Sequence, residues 1–156
     1  MRIMGVDPGL RITGYGVVET PGSTLVEAGC LRLDERSSVS DRLLELEVDV
    51  EKLLARFRPD AVAVEIVFAH YKHPATAVVM AHARGVLLLC VRRANLPLIE
   101  LRPTEIKKSL TGHGHASKEQ MQDGVMARLN LAARPEPPDV ADAIAIALCA
   151  QVRWPA

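Results

Sequence analysis

The sequence predicts an α/β fold in which a meander of three antiparallel strands leads into strands that alternate with helices. Two apolar runs, residues 3–6 and 61–64, each end on an acid, Asp7 and Glu65, and read as buried strands that deliver a carboxylate to the strand end. Between them Leu43, Leu46, Val50, Leu53 and Phe57 recur at spacings of three and four, the period of an amphipathic helix. Length and composition agree with a single domain, 1–156. A hydrophobic fraction of 49% argues for an ordered globular chain and against disorder, while 3% aromatics leave Leu, Val, Ile and Ala to fill the core.

The opening segment, MRIMGVDPGLRITGYG, is a strand, a turn and the start of a second strand. Gly9, Gly14 and Gly16 are expected to give the backbone turn conformations and a close approach to a ligand. Alternation resumes through Tyr15, Val17 and Val18. Pro21-Gly22-Ser23 is a turn, and residues 25–33 form a third strand with Val26, Ala28 and Cys30 on one face, completing the meander. Ser37 to Ser40 open the amphipathic helix and Pro59 ends it. Pro74 starts a long helix through Arg84 to near Asn95. A short strand, 98–101, follows Pro97. Pro103 and Thr104 open a helix that carries Lys107 and Lys108, and Gly112-His113-Gly114-His115 is a flexible loop. Ser117 and Gln120 form a capping box for a helix to about Asn130. RPEPP at 134–138 breaks the chain before a last helix, DVADAIAIALCAQ, which begins at Asp139.

Formal net charge is zero, but residues 19–60 carry ten acids against six Lys or Arg, and residues 80–128 four acids against eight. The basic second half is either a solvated face or, where it borders a site, a surface for a polyanion. Cys30, Cys90 and Cys149 are odd in number, far apart and set among apolar residues. They read as buried thiols in a reducing compartment, not as a disulfide framework or a zinc site. No signal peptide precedes the first strand, and the longest apolar run, 86–91, is too short to cross a bilayer. A soluble cytoplasmic protein is expected.

Four carboxylates stand out, each with an ordinary alternative. Asp7 either binds a metal or other ligand or opens an Asp-Pro-Gly turn. Glu65 sits either at a site, where ligands of α/β sheets gather, or at an exposed strand tip. Asp139 and Asp142, three apart, share a face of the last helix's first turn. Capping and the helix dipole explain Asp139 better than Asp142, whose neighbours Ala141, Ala143 and Ile144 make an unpaired charge costly. Phe68, in a polar loop with His70, Tyr71, Lys72 and His73, is either tucked into the core or exposed to stack on a base. His113 and His115 alternate with glycines and lack the rigid geometry of a metal pair, so phosphate contact or solvation is expected.

Brought together, Asp7, Glu65, Asp139 and Asp142 would form an oxygen-only site for magnesium or manganese. Two such ions roughly 4 Å apart stabilise the attacking and leaving oxygens of a phosphodiester displacement. With acids in those places the chain resembles the ribonuclease H-like superfamily, and within it the bacterial RuvC family of Holliday-junction resolvases. The motifs GVDPGLRITGYGVVE, VEIVF, HARGVLLL, TEIKKSLTGHGHASKEQ and DVADAIAIALCA follow the family order over nearly the whole chain. The resemblance implies a mixed five-stranded sheet, three antiparallel strands then two parallel, with helices on both faces. It implies a magnesium-dependent endodeoxyribonuclease that binds four-way junction DNA as a homodimer and nicks two opposed strands symmetrically in recombination and repair.

By the same resemblance, Asp7, Glu65, Asp139 and Asp142 are the catalytic metal ligands for two Mg2+ ions, with Mn2+ as substitute. Lys107 and Lys118 fall on positions that meet the DNA backbone, and Phe68 on an aromatic that inserts at the crossover. The helix with Ala83-Arg84-Gly85 would form the dimer contact, and branch-migration proteins of the RuvA and RuvB type would be partners. The chain departs from the family pattern at Ile66, where glutamine is common, and at His73-Pro74, where asparagine is frequent.

Other readings fit less of the chain. Asp7, Gly9 and Gly14 also match the phosphate-binding turn of sugar kinases and actin-like ATPases, which need a second lobe that 156 residues do not supply. A ribonuclease H-like nuclease that trims RNA matches less well at the lysine segment and the Phe68 loop. A non-catalytic junction-binding module would gain nothing from four acids facing a polyanion.

Overall fold

The computed structural model describes residues 1–66 and 74–154. Strands β1 (Arg2–Asp7), β2 (Ile12–Glu19), β3 (Thr24–Arg32), β4 (Ala61–Glu65) and β5 (Leu98–Leu101) form one sheet in the order β3-β2-β1-β4-β5. The first three pair antiparallel; β4 runs parallel to β1, and β5 parallel to β4. Helices α1 (Val39–Phe57) and α2 (Pro74–Arg93) cover one face. The other face carries α5 (Pro138–Arg153), flanked by α3 (Pro103–Thr111) and α4 (Lys118–Leu129). This is the mixed sheet with helices on both faces that the resemblance implies.

The two-residue period of the strands decides which side chain meets which layer. Met4, Val6, Val17, Val62 and Val64 point into the core beneath α1 and α2. Ile3, Val18, Ala61 and Ala63 point toward α5. By the same parity Gly5, Gly14 and Gly16 lie under α5, and Asp7 and Glu65 end their strands on that face.

Small residues on this face let α5 lie almost directly on the sheet backbone. A Cβ on Gly5 would stand 2.2 Å from the carbonyl oxygen of Ala143, one on Gly14 2.1 Å from that of Asp139, and one on Gly16 2.9 Å from the Ile144 Cα. Gly14 and Gly16 are therefore strand residues whose missing side chains admit a helix, and not, as the sequence suggested, turn residues that admit a ligand. Gly9 does lie in the β1–β2 turn, where a Cβ would stand 2.4 Å from the Ile12 carbonyl oxygen. Covered by sheet on one side and by α3 and α4 on the other, α5 is buried at Val140, Ala141 and every residue from 143 to 150.

Helix ends follow local chemistry. Ser38 caps α1 by accepting from the Asp41 amide, and Arg58 ends that helix in the left-handed conformation. Ser117 and Gln120 form the expected capping box of α4, closed by Asn130.

Three expectations are corrected. Val26 does not share a face with Ala28 and Cys30. The β2–β3 register shifts between Val17 and Val18, which pair with Glu27 and Leu25, so Val26 is skipped. That bulge turns Val26 outward, 37% exposed, and puts Leu25 in its place beside Ala28 and Cys30. Second, α5 begins one residue before Asp139, with Pro137 as its N-cap and no side-chain capping bond, so Asp139 is not the cap. Third, residues 75–93 of α2 are long and apolar enough by composition to cross a membrane, contrary to the estimate from the shorter run 86–91. Here α2 packs Ala83, Leu87, Cys90 and Val91 into the core against α1.

All three cysteines are free, with Cys90 and Cys149 buried. Burial, aided by Glu47, pushes the Cys90 thiol up to about 11, which makes it inert.

The contact between α5 and the sheet leaves no room for a methyl group. Gly5→Ala should lower the unfolding free energy by at least about 2 kcal/mol, measured by urea denaturation, because its Cβ meets helix backbone that no rotamer change can move aside.

Candidate active site

Asp7 and Glu65 are neighbours because β1 and β4 are parallel and in register. The pairing runs to Val6 and Val64, and the acids are the next residue on each strand. Past Glu65 the chain stays tied to β5, where the Ile66 amide donates to the Leu101 carbonyl at 2.8 Å. Arg84 of α2 donates to the Glu65 carbonyl at 3.4 Å and pairs with Glu100, so a buried-side guanidinium braces this strand end. Asp7 is followed by a turn that Thr13 closes. Its hydroxyl, on a residue only 1% exposed, donates to the Gly9 carbonyl at 2.8 Å and accepts from the Gly9 amide at 3.1 Å.

Asp139 and Asp142 arrive from above. Gly14, paired with Asp7 across β1 and β2, is also the residue on which the Asp139 backbone rests. One glycine thus brings the start of α5 down beside Asp7.

All four carboxylates line a single cleft of about 450 Å³. Lys107 of α3 and Lys118 of α4 line it as well. A second recess of about 370 Å³ along the β1–β2 turn shares Asp7 and Asp139 with it. His113 and His115 are exposed on the loop before α4, and Phe68 lies outside the described residues.

The electrostatics are those of like charges gathered in a half-buried place. Burial, then the charges of Asp142, Asp139 and Glu65, push Asp7 up to about 8, against a smaller pull from Lys118. Burial and Asp142 raise Glu65 to about 7, opposed by Lys107. Asp142 is raised chiefly by burial, with both lysines opposing.

Among the described residues no three acidic, histidine or cysteine side chains stand close enough to share one ion as placed. The carboxylates line the cleft without meeting at a point, which mutual repulsion favours. Donor type and charge nonetheless fit a hard divalent cation, because the set is all oxygen and gathers four carboxylates in one cleft.

Sequence reading missed the contacts that three residues make with backbone around this site without lining it: Arg84 with Glu65, Thr13 with Gly9 and Gln122 with Pro135. Gln122 is 7% exposed on α4. Thr13, alone and polar between Ile12 and the alternating Tyr15 and Val17, offered a signal in the sequence; Gln122, within the polar run KEQMQD, offered none.

A sheet of this order, with acids at adjacent strand ends and on the helix above them, defines a ribonuclease H-like nuclease. Comparison with known proteins narrows the class. The family model "Crossover junction endodeoxyribonuclease RuvC" matches residues 3–150. The crossover junction endodeoxyribonuclease RuvC of Rhodopirellula baltica is 44% identical over 149 residues, covering 94% of this chain and 84% of that one. Its namesake from a Synechococcus strain is 42% identical over 150 residues, covering 95% and 96%. The structure of Thermus thermophilus RuvC in complex with Holliday junction substrate superposes with a TM-score of 0.88 at 35% identity, covering 96% of this chain and 92% of that one. The chain belongs to the RuvC family of crossover junction endodeoxyribonucleases.

The raised Asp7 carries a stability consequence. Unfolded, the group ionises near 3.8; folded, near 8. Below about pH 4 both states hold the proton and nothing is lost. As pH rises toward 8 the folded state is progressively penalised, and above 8 the penalty is complete. Asp7→Asn should therefore raise the melting temperature in chelator by at least about 3 °C above pH 8, the effect of about 1 kcal/mol in a chain of this size. The gain should vanish below about pH 4, as thermal melts across pH would show.

Proposed function

We propose that this chain resolves four-way DNA junctions by nicking two opposed strands, acting as a homodimer in recombination and repair. The observation that carries the reading is the single cleft in which carboxylates from β1, β4 and α5 face lysines from α3 and α4. Asp7, Glu65, Asp139 and Asp142 would hold magnesium, two ions per site, with manganese as a substitute. Bound there, such ions supply charge stabilisation for the oxygens of a phosphodiester displacement.

The chain's own residues do the rest. Four carboxylates alone would repel a phosphodiester. Lys107, half-buried, and Lys118, exposed, stand on the flank of the cleft and hold the backbone of the strand to be cut. Arg84 keeps Glu65 at its strand end, and the Thr13 hydroxyl keeps the turn after Asp7 from moving.

Two symmetric cuts need two sites, and α2 offers the surface for a second copy. Val78 (55% exposed) and Leu89 (48%) lie with exposed Ala81 and Gly85 on one stripe of the helix. Of the expected contact segment, Gly85 faces outward, whereas Ala83 is buried and Arg84 turns toward β4 and β5. Family resemblance supports the further readings that Phe68 inserts at the crossover, that RuvA and RuvB type proteins are partners, and that the protein works in the cytoplasm.

The decisive experiment incubates the protein with a labelled mobile four-way junction and a matched linear duplex, with magnesium or with chelator. Paired symmetric nicks on the junction alone, only with magnesium, are expected. Tight binding without cuts would make it a binding module, and cutting of both DNAs alike would remove the structure selectivity. Asp7→Asn should bind the junction at least as tightly as the wild type and yield no nicks on a denaturing gel. Lys107→Ala and Lys118→Ala should each lessen the slope of log affinity against log salt by about one. Leu89→Glu should convert a dimer to a monomer in sedimentation.

A further inference from the structure

We infer that Gln122 is a positioning residue for Asp139, acting through the proline-rich segment that leads into α5. Thr13 and Gln122 are the two buried polar residues among those described. Thr13 closes the turn after Asp7; Gln122 does the corresponding service for the helix opposite. Its amide nitrogen donates to the Pro135 carbonyl and to the Glu136 carboxylate, each at 3.2 Å. Both partners are acceptors, so the orientation of the amide is determined.

The segment needs such a clamp. Pro135, Pro137 and Pro138 have no N–H, so residues 134–138 cannot anchor themselves through those backbone donors. Pro137 caps α5 without a side-chain bond, so the start of the helix is fastened only by the Val140 amide on the Pro137 carbonyl at 2.9 Å and by the packing of the Asp139 backbone on Gly14. Asp139 follows two residues later. The exposed bidentate Arg134–Asp123 pair, at 2.6 and 2.8 Å, ties the same segment to α4 from its outer end. The buried amide adds a tie nearer the helix, at Pro135 and Glu136, away from solvent.

Gln122 also stands four residues after Lys118, on the same face of α4. One helix face thus presents a cation to the cleft and fixes the entry of the helix that carries two of its acids. A shift of α4 would move both together.

The inference rests on the reading of Asp139 as a metal ligand, and its test separates the two. Gln122→Met keeps the volume and removes the donor; Gln122→Glu keeps the shape and sets an acceptor against two acceptors. Mn2+ binding to the protein alone is read from the electron paramagnetic resonance of free Mn2+, junction binding from native gels in chelator, and cleavage from Mn2+ titrations. Either variant should bind Mn2+ about tenfold more weakly, as loss of a ligand's support does. The Mn2+ required for half-maximal cleavage should rise by the same factor. Junction affinity in chelator should be unchanged, and cleavage should recover at saturating Mn2+. Wild-type Mn2+ affinity in both variants, even with a lowered melting temperature, would overturn the inference and leave Gln122 a packing residue. Asp139→Asn, measured alongside, reports on the underlying reading: if it binds Mn2+ as the wild type does, the ligand assignment falls. If it loses Mn2+ while the Gln122 variants do not, only the clamp falls.

Discussion

Everything in this molecule depends on α5 touching the sheet with almost nothing between the two backbones. Helices ordinarily rest on sheets through a layer of side chains. Here glycines in β1 and β2 remove that layer where the helix crosses, and alanines along α5 complete the fit. Dispersion over a close, continuous contact replaces the bulk of large side chains, which suits a chain so poor in aromatics. The same closeness sets the height of Asp139 and Asp142 above Asp7 and Glu65. Packing and site are one feature, seen from two ends.

The acid cluster works against that packing. Carboxylates held where burial and their neighbours raise their proton affinity are poorly accommodated at neutral pH. A fold selected for stability alone would put neutral side chains there. The surrounding restraints answer this strain: the Thr13 hydroxyl behind Asp7, the Arg84 guanidinium behind Glu65, and the Gln122 amide behind the start of α5. Each holds backbone, leaving the carboxylates themselves free to face the cleft.

Much of this was legible in the sequence, for identifiable reasons. Apolar runs that end on an acid located β1 and β4, the three-and-four spacing located α1, and Ser117 with Gln120 located the start of α4. All are local signals, and local chemistry governs them. That the four carboxylates gather was a condition the sequence left open and the family resemblance implied, and the cleft holds them together with both lysines. What stayed hidden depends on partners distant in the chain. Gly14 and Gly16 read as turn glycines because the helix they receive lies more than a hundred residues away. The bulge that expels Val26 arises from pairing with β2, and no pattern within β3 announces it. Asp139 looked like a cap because Pro137, with no side chain able to cap, is an unobvious choice for that position.

The contact between Gly5 and Ala143 also has a kinetic side. It joins the first strand to a helix formed by residues that follow nearly all the rest of the chain. Closing so long a loop is entropically unfavourable, so the central contact of the fold cannot be an early, local event. A chain that has formed its meander and its first two helices still presents a bare glycine-lined sheet face, with Asp7 and Glu65 beside no other acid. The gathering of the four carboxylates and the completion of the core therefore arrive in the same step.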